Sequence, residues 1–379
     1  MAQLVLLRGA KQVLTLRGSS GARRGAALND LGIIEDGSVL IRDGVIAGVG
    51  PTRRLENLKE ARTALEIPAN GGVVIPGFVD ANIHVSPGPA KRPGARLHTR
   101  KQMAEFHDES LALMRACLEH GTLTAEVKAN SDTGDAASDI AALRQLAAIG
   151  DNPVRMLRSW RVNAVVSESA LTETVTALVN RGLAHFMDLT AESELPDRRD
   201  LGLNLVWHGG DCARLGDLIS RVNPQTISCH SHISSDECSV LSKTSSVIVL
   251  SPGREVLEND VGGSVAQLAA SGAAIALSSG YDSRRSPTFN MQMVLSLAVL
   301  RLRLTAEQAI IASTINGAHA AGCAHLVGSL ELGKRADIIV LHVPDYREIA
   351  GRFGVNHVGM ALRDGNIVLN RTRRKVSAH

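Results

Sequence analysis

Between residues 73 and 282, eight short apolar runs recur, and a helical stretch separates most of them from the next. They are VVIPGFVDANIH, GTLTAEVK, VRMLRSWRV, AHFMDLTAE, LNLVWHGG, TISCHSH, SSVIVLSPG and AAIALSSGYD, with spacers such as MAEFHDESLALMRACLEHG and SDIAALRQLAAIG. Alternation of this kind implies parallel strands, because a parallel pair needs a long crossover. Eight such units over roughly 250 residues predict a (β/α)8 TIM barrel. The competing doubly wound sheet wants a glycine-rich phosphate turn after its first strand, and PGFVDANIH offers none.

The flanks read differently. Residues 1–70 give short strands and turns: QLVLLRG, KQVLTLRG, GSVLIRDGVIAGVG and a last pair around TALEIP. The DG at 43 and 44, set between alternating apolar residues, is a hairpin signal. ADIIVLHV at 336–343 and GMALRDGNIVLN at 359–370 repeat the sequence of strand, DG turn and strand. The chain ends are therefore expected to join in a small β-sandwich module, residues 1–70 with 330–379, beside a barrel spanning 71–329.

Aromatic residues make up only 2 % of the chain, so Leu, Val, Ile and Ala must fill its core. Lys and Arg total 41 against 38 Asp and Glu and are spread thinly, which argues against nucleic acid as a partner. The basic cluster RTRRK at 371–375 reads as a solvated tail. Cysteines 117, 212, 229, 238 and 323 form no C-x-x-C pair and no framework spacing, as expected of buried thiols in a reducing cytoplasm. LVLL is cut by Arg8, too short for a signal segment, and no later run is long enough for a bilayer, so no membrane partner is expected.

In a TIM barrel the chemistry lies at the C-terminal ends of the strands. The polar residues ending these runs are Asn82 and His84, Glu126 and Lys128, His208, His230 and His232, and Asp282. Strand side chains repeat every two residues, so a histidine at 82 would set two imidazoles on one face. His84, His208 and His232 come from three strand ends and converge on one mouth, a set suited to a metal or a polar ligand. Taken singly, each also reads as a satisfied structural histidine.

The chain resembles the amidohydrolase superfamily, and within it the imidazolonepropionases, over almost its whole length. The motifs are GIIEDGSVLIRDGVIAGVG, VIPGFVDANIH, HGTLTAEVK, VWHGG, VIVLSPG, LTAEQAIIASTINGAHAAG, GSLELGKRADIIVL and DYREIAGRFGVNHVGMALRDG. The resemblance implies a barrel carrying a β sandwich from both termini. It also implies hydrolysis of carbon–nitrogen bonds in rings and amides by water on a divalent metal, zinc or iron, and pairing into a homodimer. Carried over by position, His84 and His208 are metal ligands, and His232 polarises the substrate carbonyl or helps in proton transfer. Asn82 replaces the first histidine of the family's His-x-His, and Gly280 falls where its eighth-strand aspartate stands, so the metal site is incomplete. Asp282 is the nearest carboxylate, on the face of 280 if the strand persists that far. Asp211 stands where a glutamate handles protons, and Lys91 where an arginine grips the substrate carboxylate. ANSDTGD departs from the serine, glycine and tyrosine loop that follows EVK in the family.

Each residue has a plainer reading beside the sharp one. The Asn82 amide oxygen suits a hard cation better than zinc, or simply bonds its neighbours. Asp282 reads equally as a turn residue. Glu126 and Lys128 read as a barrel-lining ion pair holding the pocket floor. Cys238 reads as a buried thiol rather than a nucleophile. The expectation is an imidazolonepropionase-like hydrolase of a small cyclic amide. In it His84 and His208 hold metal, His232, Asp211 and Asp282 do the chemistry, and Lys91, Asn82, Glu126 and Lys128 face the substrate. Its rivals are a metal-poor ligand-binding protein and a metal-free lyase or isomerase on the same barrel. Asn82→His with Gly280→Asp would discriminate among them: strong metal uptake and new hydrolysis would show that a complete metal site is only two substitutions away.

Overall fold

The computed structural model describes residues 3–85, 99–129, 136–162, 168–190, 202–208, 215–228, 233–257, 263–282 and 286–371. The N-terminal strands are β1 (Leu4–Leu14), β2 (Ile33–Arg42), β3 (Val45–Pro51), β4 (Leu65–Pro68) and β5 (Val73–Pro76). The barrel strands are β6 (Phe78–Val85), β7 (Thr122–Ala129), β8 (Arg155–Val162), β9 (Phe186–Thr190), β10 (Asn204–His208), β11 (Thr226–Ser228), β12 (Val247–Leu250) and β13 (Ala274–Leu277). The C-terminal strands are β14 (Ile338–Leu341), β15 (Val358–Arg363) and β16 (Asn366–Asn370).

Strands β6 to β13 pair in chain order, each parallel to the next. The ring nearly closes between its ends, where Ile83 bridges Tyr281 and the His84 amide donates to the Tyr281 carbonyl at 2.8 Å. All eight strands expected from the apolar runs are present. Every residue of β7 is buried, as a strand covered on both faces must be. Its Leu123, Ala125, Val127 and Ala129 join the outer core with Met114 and Leu143. Period-two alternation then turns Thr122, Thr124, Glu126 and Lys128 into the barrel. Outside, helix Arg100–Glu119 opens with a capping box between Thr99 and Gln102. It buries Phe106, Ser110, Met114 and Cys117 at three- and four-residue spacing, the stripe that seats a helix on a sheet.

The terminal strands form a separate sheet in the order β16-β15-β14-β5-β1-β2-β3, with β4 on β1. The chain ends meet where β14 runs antiparallel to β5, Ile339 opposite Ile75. Val39, Ile41, Val74, Ile338, Met360 and Leu362 share one core in this module. Both DG signals are hairpin turns, with φ of 50° and 79° at Asp43 and Gly44 and 46° and 73° at Asp364 and Gly365. Two successive positive φ values match the right-handed twist of the flanking strands. QLVLLRG and KQVLTLRG, read as two strands, are one: β1 shifts register between Leu7 and Ala10, so the RG that resembled a turn is a bulge within a continuous strand. Arg155, on β8, ties the barrel to this module through Asp337 at 3.2 Å and Asp364 at 3.4 Å. Among the described residues, no helix is long and apolar enough to cross a membrane.

Candidate active site at the barrel mouth

Strands β6 to β9 bring a chain of charged and polar side chains together inside the barrel. Lys128 sits between two carboxylates, its Nζ 3.1 Å from Asp188 Oδ2 and 3.7 Å from Glu126 Oε1, and all three side chains are essentially buried. The expected Glu126–Lys128 pair is present, but Asp188 is the nearer partner. Burial pushes the Glu126 carboxyl up to about 7; Lys128 opposes the shift and Asp188 adds to it. On β8, Arg161 places Nε 4.0 Å from Asp188 Oδ2 and Nη1 3.2 Å from His84 Nδ1. The Arg161 side chain is 16 % exposed, whereas Asp188 is fully enclosed.

At the seam between β6 and the segment after β13, Asp80 accepts from the Ser279 amide at 3.0 Å and the Asn82 amide at 3.3 Å. Burial raises its carboxyl to about 6, against those hydrogen bonds. Asn82 is buried, and its Oδ1 has no hydrogen-bond partner among the described residues. His84 is 8 % exposed. Asp282 exchanges both backbone hydrogen bonds with Ser286, next to the Tyr281 that pairs with β6, so it stands at the mouth. Cys238 is a buried thiol in helix Ser235–Lys243.

His208 ends β10, with its side chain outside the described residues, and His230, His232, Asp211 and Lys91 lie outside them altogether. Sequence reasoning passed over Asp80, Arg161 and Asp188 although all three lie inside quoted strands. The available signal was alternation: Arg161 and Asp188 occupy inward positions two residues from Ser159 and Phe186, at strand ends where charge has no packing role.

Amidohydrolases typically bind a divalent metal. Among the described residues, the donors do not fit one. A guanidinium has only donors, so the contact with Arg161 makes His84 Nδ1 an acceptor and leaves the ring proton on Nε2. A metal needs the lone pair that this proton occupies. Gly280 has φ +56°, and a Cβ there would lie 2.5 Å from Ser251 Cβ and 2.6 Å from its Oγ. No carboxylate fits at 280 without moving Ser251. The strand has also ended at Leu277, so 280 and 282 do not share a period-two face as anticipated. Against this, the buried oxygens Asn82 Oδ1, Asp80 Oδ2, Glu126 Oε1 and Oε2, and Asp188 Oδ1 and Oδ2 have no hydrogen-bond partner among the described residues, which favours a cation.

Residues 227–368 match the model of the Amidohydrolase family. The imidazolonepropionase of Geobacillus kaustophilus is 31% identical, with 97% of this chain and 98% of that protein aligned. The fold is that of the guanine deaminase of E. coli, with a TM-score of 0.68 at 20% identity over 98% of this chain and 99% of the other. It is equally that of a mutant atrazine chlorohydrolase from Arthrobacter aurescens, solved with zinc and atraton, with a TM-score of 0.73 at 15% identity over 99% and 97%. The chain belongs to the imidazolonepropionase family of amidohydrolases, hydrolases of carbon–nitrogen bonds.

Proposed function

We propose that the mouth of this barrel hydrolyses a carbon–nitrogen bond of a small cyclic amide, as the names of its relatives suggest. The observation that carries the reading is the set Asn82, His84, Glu126, Lys128, Arg161 and Asp188, gathered inside the barrel toward the strand ends where this fold does its chemistry. In this reading His84, through its ring N–H, and His232 polarise the carbonyl. Asp282 or Asp211 takes a proton from the attacking water and returns one to the leaving nitrogen as the C–N bond breaks. Asn82, Glu126, Lys128 and Lys91 hold the ring. The compartment is the cytoplasm, which the buried thiols Cys117, Cys238 and Cys323, outside any disulfide, suit. Pairing into a homodimer rests on the habit of the family alone.

The test is ring opening, followed by NMR, of imidazolone propionate and a panel of five- and six-membered cyclic amides. Turnover by the native chain that falls by roughly 10²–10⁴-fold in His232→Asn or Asp282→Asn supports the reading. No turnover on any of them sinks it. A protein that binds its ligand without hydrolysis would remain, a second reading favoured by Gly280 at the position of the shuttle aspartate.

A further inference from the structure

The end of the barrel opposite the mouth carries a second polar hollow. A cavity of about 520 Å³ opens there, and its wall includes Gly18, Ser19, Ser20, Gln225, His319 and Lys334. Another of about 470 Å³ shares Ser20, Gln225 and His319 with it and reaches Asn204, Asn223 and Ser245, beside the starts of β10 to β12.

The charges around the first cavity do not balance. Arg23 is 4 % exposed, and its guanidinium donates to the carbonyls of Leu16 and Ser19 and to Ser19 Oγ, with no carboxylate paired to it among the described residues. A buried ion without a counter-charge is costly. Gly18, on the cavity wall, lies directly over this guanidinium: a Cβ there would meet Nη1 and Nη2 at 2.5 Å. Arg24 likewise bonds only carbonyls, those of Ser242, Thr244, Ser246 and Gly272. Glu331 lines the cavity too, but Lys334 already holds it at 3.4 Å. At His319 the field is therefore positive: burial, then Lys334 and Arg23, hold the imidazole down to about 4, and no acid opposes them. That ring makes no hydrogen bond among the described residues, and neither do the amides of Gly18, Ser19, Ser20 and Gly21. Open N–H groups beside uncompensated cations are the arrangement that holds phosphate oxygens. Among its described residues the adjoining cavity has no charged side chain and no Phe, Tyr or Trp. Its carboxamides and hydroxyls suit the hydroxyls of a sugar better than a stacked base.

We propose that this end of the barrel binds a small phosphate ester such as a sugar phosphate. The phosphate lies against Lys334, His319 and the amides of residues 18–21, and the hydroxyls reach Asn204, Asn223 and Gln225. The site is separate from the mouth and stands whether or not the mouth hydrolyses a cyclic amide.

Calorimetry on the full chain with glucose 6-phosphate, inorganic phosphate and glucose tests this. The ester is expected to bind at a single site, more tightly than inorganic phosphate, with no binding of glucose. Lys334→Met should weaken the ester by at least roughly ten-fold, the size of a lost charged hydrogen bond. Ser20 is exposed and lines both cavities, so Ser20→Asp should weaken the ester similarly by setting a carboxylate beside it, whereas Ser20→Asn should not. The ester should also shift the histidine ring resonances that His319→Gln removes from the NMR spectrum. No binding of the ester would overturn the proposal, as would affinity unchanged in Ser20→Asp, which would place the ligand elsewhere on the chain. Inorganic phosphate bound as tightly as the ester would refute the sugar half of the site. Should Lys334→Met fail to fold, Ser20→Asp decides.

Discussion

Nη1 of Arg161 lies 3.2 Å from Nδ1 of His84, which joins the ends of β8 and β6 by a contact that only one histidine tautomer can make. The same guanidinium leans toward Asp188, which Lys128 grips from the other side. The interior of this barrel is thus held by charges from adjacent strands rather than by apolar layers alone, and its variants should respond accordingly.

Lys128→Met leaves Asp188 and Glu126 buried without their nearest cation. Loss of one partner from a buried pair costs about 3–5 kcal/mol, and that loss is expected in urea unfolding. Adding Asp188→Leu should recover much of it, because the double variant removes both members. Equal losses in the single and double variants would place the effect in packing instead.

Stability should depend on pH through Glu126. The folded state holds this proton up to about pH 7, whereas the unfolded chain releases it near the ordinary glutamate value. The folded state therefore binds more protons in that window, and its stability falls as pH rises through it. Thermal unfolding between pH 5 and pH 8 should show the decline, and Glu126→Gln should reduce its slope, leaving the part that Asp80, raised to about 6, contributes.

Gly280→Asp should not restore a metal centre. The new Cβ meets Ser251, and a forced contact of this kind typically costs about 1–3 kcal/mol. The expected result is a lower melting temperature with no gain in zinc, with or without Asn82→His. Ser251→Gly in the same background should return part of the stability. Stoichiometric zinc in the Asn82→His, Gly280→Asp protein would refute this.

Asp337→Ala should loosen the module from the barrel. It strips the largely buried Arg155 guanidinium of its closer carboxylate, leaving Asp364 at 3.4 Å. An expected loss of up to about 3 kcal/mol in chemical unfolding would place this pair among the structural ones. A change below about 0.5 kcal/mol would mark it as a surface-like bridge.

The sequence by itself determined the architecture. Apolar runs spaced by helices can satisfy their backbone only in a parallel sheet with crossovers, and the two DG dipeptides supply the positive φ pair that a tight hairpin needs. These are local requirements, legible within a dozen residues. Chemistry at the strand ends was half legible: His84, Asn82, Glu126 and Lys128 stood out by period-two spacing within one strand. Asp188 and Arg161 did not, because what makes them matter is the register that sets β7, β8 and β9 side by side, and no spacing along the chain records it. Tertiary structure alone decided that Arg161 stands against His84, and that the space for a side chain at 280 is filled by Ser251. A residue type fixes which bonds a group can make; only packing fixes which partner comes within 3 Å of it.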